Sequence, residues 1–410
     1  MSCIFVRTNA MAALSEVQTR ELKRTVMGQA LQLVTGTPTK MVHPPVVDAK
    51  VRQELNFPKV ELHLHLDGAV RHTTLFELAQ QKKMDLKGAK SVEELKQLIV
   101  SHEPANLSKV LAAFDIFLPV IAGDAVAIER VAYEHCEDQA NDGVIYFEAR
   151  YSPHLLCNSV HKVWNDLADQ TGEPFQLTPQ GVIEAVKRGL DRGEKDFNVK
   201  ARSILCCIRG YEDWNNEVLE LAEKNKHLGV VSIDVAGCAH GADEQYEPSV
   251  IRVFQGAADR GIHRTVHAGE SGGPKEVVLA LTEMKAERIG HGYRLTNDEA
   301  AYQKYAVEQR VHFEACPYSS LMTGAVPLNW QEHPLIRWAK DNVNFSINTD
   351  DPTCFDNTVT SDLRIAQHEI GLSIHQLWLC QLNAAEASFL PDDEKAELVE
   401  RIKKAEPAKN

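Results

Sequence analysis

The stretch TVHAGESGGP (265–274) fits two incompatible chemistries. Gly269-Glu270-Ser271-Gly272-Gly273 satisfies G-x-S-x-G, the pattern of a serine nucleophile on a strand-to-helix turn. The same residues offer His267 as a metal ligand and Glu270 as a proton carrier. Other stretches bear on the choice. ELHLHLDG carries His63 and His65 two positions apart, so that on a strand both side chains point the same way. His291 lies in RIGHG, and Asp350 and Asp351 are adjacent in SINTDDP. Three imidazoles and a carboxylate suit zinc, which takes nitrogen and oxygen ligands and in catalytic sites keeps a position for water. One histidine among 17 signifies little. The H-x-H pair, His267 and Asp350 taken together point to a metal site. Glu270 has two readings. As a partly desolvated carboxyl beside the metal it would have a raised pKa and could donate a proton near neutral pH. As a residue ahead of Pro274 it could be a carboxylate favoured by a helix N-terminus. A triad of Ser271, Asp350 and His368 can be written down, but it leaves the His63/His65 pair and His291 unexplained.

These residues need a scaffold that brings them together across nearly 290 positions. From residue 58 the chain repeats a short apolar run, a polar cluster and a stretch with helical spacing. The runs are 59–64, 143–150, 202–208, 229–235, 263–268, 288–292, 311–316 and 344–348, eight strand candidates in all. Most are too apolar to have a solvated face, as expected of parallel strands covered on both sides. Helical spacing lies between them, as in 248–261 and 274–287. Alternating strands and helices, eight times over, predict an α/β fold: a single (β/α)8 TIM barrel, with extra helices after the first strand and at the C-terminus. Every candidate site residue then falls at a strand end, and in this architecture the C-terminal strand ends form one mouth. Within the long first connection, 106–123 is expected to be a helix with Val110, Leu111 and Phe114 on one face. That face is either core packing or a lid over the mouth.

The formal net charge of −14 disfavours nucleic acid and anionic membranes and gives no help to a polyanionic substrate. A neutral small molecule fits it better. The nine cysteines, an odd number without C-x-x-C, indicate neither a disulfide framework nor a cysteine zinc site, and predict a reducing, cytoplasmic setting. No apolar run reaches the ~18–20 residues needed to cross a bilayer. Residues 1–50 are expected to be a mobile N-terminal extension of unknown role. Protein partners and oligomeric state are not legible.

PKVELHLHLDGA (58–69), HRTVHAGE (263–270), RIGHGYRL (288–295) and SINTDDP (346–352) resemble the motifs of the adenosine deaminase family. FEACPYSSLMTG (313–324) and NAAEASFLPDDEK (383–395) read like its later segments, and the likeness runs from about Phe57 to Pro391. The resemblance implies a zinc-dependent deaminase barrel over residues 51–400, acting on adenosine and 2′-deoxyadenosine. It implies one Zn2+ per chain, held by His63, His65, His267 and Asp350. Glu270 would protonate the purine at N1, and His291 would orient the attacking water or take its proton. Asp351 would meet N7 and the backbone of Gly237 would meet N3. Asp67 would hold the ribose 5′-hydroxyl, with His65 also facing the substrate. A carboxylate there disfavours a 5′-phosphate by like-charge repulsion. The other class of zinc deaminases uses P-C-x-x-C, which is missing here. One departure stands out: Cys238-Ala239-His240 follows Gly237 where the family usually has acidic residues. The expectation is an intact backbone contact on an altered loop.

Overall fold

All eight apolar runs form strands: β1 (Lys59–His65), β2 (Val144–Tyr151), β3 (Lys200–Ile208), β4 (Val230–Ala236), β5 (His263–Ala268), β6 (Arg288–His291), β7 (His312–Ala315) and β8 (Phe345–Ile347). They pair in parallel in sequence order, β1 to β8. The structure is a computed structural model that describes residues 42–159, 177–237 and 245–408. Helices cover the outside: α1 (His72–Gln81), α2 (Val92–Ile99), α3 (Leu107–Leu111), α4 (Phe114–Ile121) and α5 (Ala125–Asn141) all lie in the first connection. The later crossovers carry α6 (Pro179–Phe197), α7 (Glu212–Lys224), α8 (Pro248–Asp259), α9 (Pro274–Thr282) and α10 (Pro334–Lys340). After β8 come α11 (Val359–His368), α12 (Ile374–Ala387) and α13 (Asp392–Lys403). The result is the expected (β/α)8 barrel with its added helices.

The ring closes between first and last strands with few ladder bonds. Leu64 bridges Asp350, the amide of His65 donates to the Asp350 carbonyl (2.9 Å), and the Asp350 amide donates to the His63 carbonyl (3.2 Å). Asn348 Oδ1 accepts from the amides of Leu62 (2.8 Å) and His63 (3.1 Å). β1 shifts register between Glu61 and Leu64, which breaks the strict alternation of faces. Glu61 therefore meets Gln139 on α5, while His63 meets Glu314 on β7.

The segment 106–123 is two helices rather than one. The break falls at residues 112–113, ahead of Pro119, which lies inside α4. Val110 is buried in the core, while its neighbour Leu111 and Phe114 line the pocket at the barrel mouth. The helices expected over 248–261 and 274–287 end sooner, at Asp259 and Thr282. Of the N-terminal fifty residues, those from 42 onward are described. The Val42 amide donates to His102 O (2.9 Å), and its carbonyl accepts from Tyr318 Oη (2.7 Å). Among the described residues no single helix is long and apolar enough to cross a membrane.

Candidate active site

The C-terminal strand ends bring the expected residues together. A pocket of about 580 Å3, open to solvent, is lined by His65, Asp67, Gly237, His267, Glu270, His291, Asp350 and Asp351. Leu107, Leu111, Phe114, Leu155 and Ile208 supply its apolar wall. Its mix of an apolar wall with a few polar groups suits a small-molecule ligand. His63 lies just beneath, fully buried.

One donor atom each from His63, His65, His267 and Asp350 lies within 4.8 Å of all the others. His63 Nε2 is 3.2 Å and His65 Nε2 3.4 Å from Asp350 Oδ1, and His65 Nε2 faces His267 Nε2 at 3.2 Å. The opposite nitrogens are engaged elsewhere. His63 Nδ1 is 2.7 Å from Glu314 Oε2, and His267 Nδ1 is 2.8 Å from Asp234 Oδ2. With the ring protons placed on those sides, the Nε2 lone pairs converge on one another and on a carboxylate, an arrangement that a cation would satisfy. His63 Nε2 is buried without a well-directed hydrogen bond, which fits a ligand atom better than an isolated imidazole nitrogen. Burial holds His65 well below the usual imidazole range and lowers His267 as well, so both present neutral rings. For His63, burial and Arg150 press downward, but Asp350 and Glu314 outweigh them and raise it. The donor set fits a tetrahedral zinc. The remaining Asp350 oxygen accepts from Ser319 Oγ (2.7 Å).

Backbone geometry puts two of these groups in place. His291 (φ 63°) and Asp350 (φ 72°) both lie in the left-handed region at strand ends, a strain tolerated where it aims a functional side chain. Gly290 lies so near His63 that a Cβ there would stand 2.7 Å from the ring Cε1.

Around the pocket stand three buried carboxyls. Glu270 is pushed up to about 8 by burial and then by the charge of Asp350, and its Oε1 has no partner. Asp351 is raised well above the usual carboxyl range by burial and by Asp350, with Oδ1 unpartnered. Asp67 is pushed up to about 6 by burial; its Oδ2 accepts from the Ser152 amide (3.1 Å) and its Oδ1 is unpartnered. His291 Nε2 is 3.7 Å from Glu270 Oε2 and 3.8 Å from Asp350 Oδ2, and burial holds its ring neutral, well below the usual range. Gly237, at φ 93°, lines the pocket with its backbone. The Cys238-Ala239-His240 departure lies outside the described residues.

The two readings of TVHAGESGGP now separate. Glu270 is not a helix cap, for Gly273 stands at that position, and the turn is tied instead by Glu276, whose Oε2 accepts from the Gly269 amide (2.8 Å). Ser271 is exposed and its hydroxyl bonds to no histidine among the described residues. His368 is exposed at the end of α11, and Asp350 is committed to the histidine cluster. Ser271, Asp350 and His368 form no serine triad.

Sequence reading missed the layer behind the ligands. Asp234 and Glu314 orient His267 and His63. Arg150 Nη1 donates to Asp234 Oδ2 (2.8 Å), while its Nη2 donates to Glu314 Oε2 (2.7 Å) and to Leu62 O (2.7 Å). Arg288 joins Glu314 Oε1 (2.7 Å) to Glu148 Oε2 (2.6 Å). Glu314, although burial alone would raise it, is held well below the usual range by the two arginines. The available signal was the charge itself: EAR, SID and HFE place ionic residues inside strands otherwise too apolar to face water.

The family model described as adenosine deaminase matches residues 58–405. The adenosine deaminase of Xenopus laevis is 45% identical over 350 residues, 85% of this chain and 96% of that protein. That of Bos taurus is 42% identical over 355 residues, 85% of this chain and 94% of that protein. Among solved structures, an adenine deaminase from Arthrobacter aurescens aligns with a TM-score of 0.72 at 25% identity, covering 85% of this chain and 99% of that one. Barrel, histidine cluster and sequence kinship agree, and this chain belongs to the adenosine deaminase family.

Proposed function

We infer that this enzyme hydrolytically deaminates adenosine and 2′-deoxyadenosine to inosine and deoxyinosine, releasing ammonia. One observation carries the reading: three buried carboxyls, each with an unpartnered oxygen, ring the pocket beside the histidine cluster. His63, His65, His267 and Asp350 hold one zinc ion per chain. When bound, zinc lowers the pKa of a coordinated water and so supplies the nucleophilic oxygen.

The chain's own groups do the rest. Glu270, protonated at neutral pH, gives its proton to N1 and leaves C6 electron-poor. His291, neutral and close to Glu270, takes the proton of the attacking water. Asp351 keeps its proton through burial and donates it in a hydrogen bond to N7, which can only accept. The Gly237 amide donates to N3, and Asp67 Oδ1 accepts from the 5′-hydroxyl, with His65 alongside. As the C6–N bond breaks, the proton held by His291 passes to the departing amine, which leaves as ammonia, and the C6 hydroxyl returns its proton to Glu270 as it becomes the carbonyl. A 5′-phosphate would stand against Asp67 and be repelled. The freedom from disulfides of the seven described cysteines supports a cytoplasmic placement. We also propose that residues 51–400 form the catalytic barrel and 1–50 an extension.

The test follows adenosine by ultraviolet absorbance, with zinc per chain measured on the same sample before and after chelation. Loss of the adenine band, stopped by chelation and restored by zinc, supports the reading. No change in protein carrying one zinc rejects it, and turnover of adenine alone would redirect it to the free base.

A further inference from the structure

The barrel interior is the place to look, because its contents are unusual. Interiors of this fold are ordinarily filled by bulky apolar side chains. Here Glu148, Arg150, Asp234, Arg288 and Glu314 are all at or below 1% exposure. Burying so many charges costs several kcal/mol per ion before pairing, and well-packed apolar residues of similar volume are commonly as stable or more so. Stability is therefore a poor account of them, and their geometry supplies a better one.

Arg150 does something that Arg288 does not. Its two terminal nitrogens each take one carboxylate oxygen, and each of those oxygens is the atom that also faces a ligand imidazole. Asp234 Oδ2 lies between Arg150 Nη1 (2.8 Å) and His267 Nδ1 (2.8 Å). Glu314 Oε2 lies between Arg150 Nη2 (2.7 Å) and His63 Nδ1 (2.7 Å). The guanidinium is planar and its nitrogens are fixed relative to each other. A bond from Nη2 to Leu62 O ties it to the strand that carries His63. Arg288 holds the other oxygen of Glu314 and touches neither of these shared atoms.

We propose that Arg150 is a positioning residue for the metal site: one rigid guanidinium sets two ligand rings, His63 and His267, through two shared carboxylate oxygens. It touches neither zinc nor substrate. Its effect is to make the mutual angle and spacing of the two Nε2 atoms a property of the folded chain, present before any ion arrives. The inference rests on the zinc reading above.

The experiment measures zinc dissociation constants by chelator competition, with melting temperatures of the metal-free proteins, for wild type, Arg150→Met and Arg288→Met. Loss of partners behind metal ligands typically weakens affinity by about 10–100-fold. That loss is expected for Arg150→Met, while Arg288→Met, which removes an equally buried charge, weakens zinc by less than about a third of that factor. Equal zinc constants in wild type and Arg150→Met, with only the melting temperature lowered, overturn the inference and leave a structural role. Equal losses in both variants overturn it as well, in favour of a general charge effect. If Arg150→Met does not fold, Arg150→Lys decides. A single ammonium cannot span both oxygens in the same geometry, so about 10-fold weaker zinc is expected, and wild-type affinity overturns the idea. A wild type that binds no zinc would instead reject the zinc reading itself.

Discussion

Glu270 and Ser271 are neighbours in the chain with opposite surroundings: one buried beside Asp350 and the histidines, the other out in water. Glu270→Gln keeps the shape and removes the exchangeable proton, so kcat is expected to fall by about 10^3-fold, within the range for loss of a general acid. Ser271→Ala should stay within about two-fold of wild type, and steady-state assays of the two variants side by side check both. The raised carboxyl also predicts a pH limb. In the proposed role Glu270 acts in its protonated form, so kcat/KM should fall as pH rises through about 8, and the residual activity of Glu270→Gln should lack that limb. A profile that rises across pH 8 would contradict the assignment. At this scale the sequence was most legible where chemistry repeats at a short spacing, as in H-x-H. Arg150 was illegible because its partners stand 84 and 164 residues away, and no local pattern announces contacts of that span.

Two glycines show how elements present the site. A Cβ at Gly290 on β6 would crowd His63, whereas a Cβ at Gly68, just past β1, would collide with Asp351 Oδ1. Gly290→Ala is therefore expected to lower zinc content and melting temperature together, the overpacking costing about 1–3 kcal/mol. Gly68→Ala should keep its zinc and lose kcat/KM for adenosine. Metal analysis with kinetics separates the two. The helices make a third case. Gly189 and Gly193 of α6 let its backbone approach α5, where added carbons would meet Glu129 O and Cys136. Gly193→Ala should destabilise by about 1–3 kcal/mol in urea melts without changing zinc or KM. The eight strands were legible because burial on both faces leaves continuous apolar runs. The break between α3 and α4 was not, because Val110, Leu111 and Phe114 keep a spacing across it that one continuous helix would also show.

For the molecule as a whole, the family match begins at residue 58, while among the described residues contacts with the rest of the fold are already made by Val42. A chain starting at residue 42 is expected to keep kcat and melting temperature. One starting at residue 48 should melt lower, having lost the bonds from Val42 to His102 and Tyr318. Activity assays and thermal melts of both truncations check this. The seam of the ring has a further consequence. The residues expected to grip the ion come from β1, from the end of β5 and from just past β8, and Asp350 is at once a ligand candidate and the residue that closes β1 onto β8. During synthesis the first two histidines leave the ribosome hundreds of residues before their carboxylate partner exists. A growing chain would therefore have only its histidines to offer, and the donor set would be complete only when translation is nearly finished. An ion held there would act as a clasp across the seam, tying the opening of the ring to the loss of the metal.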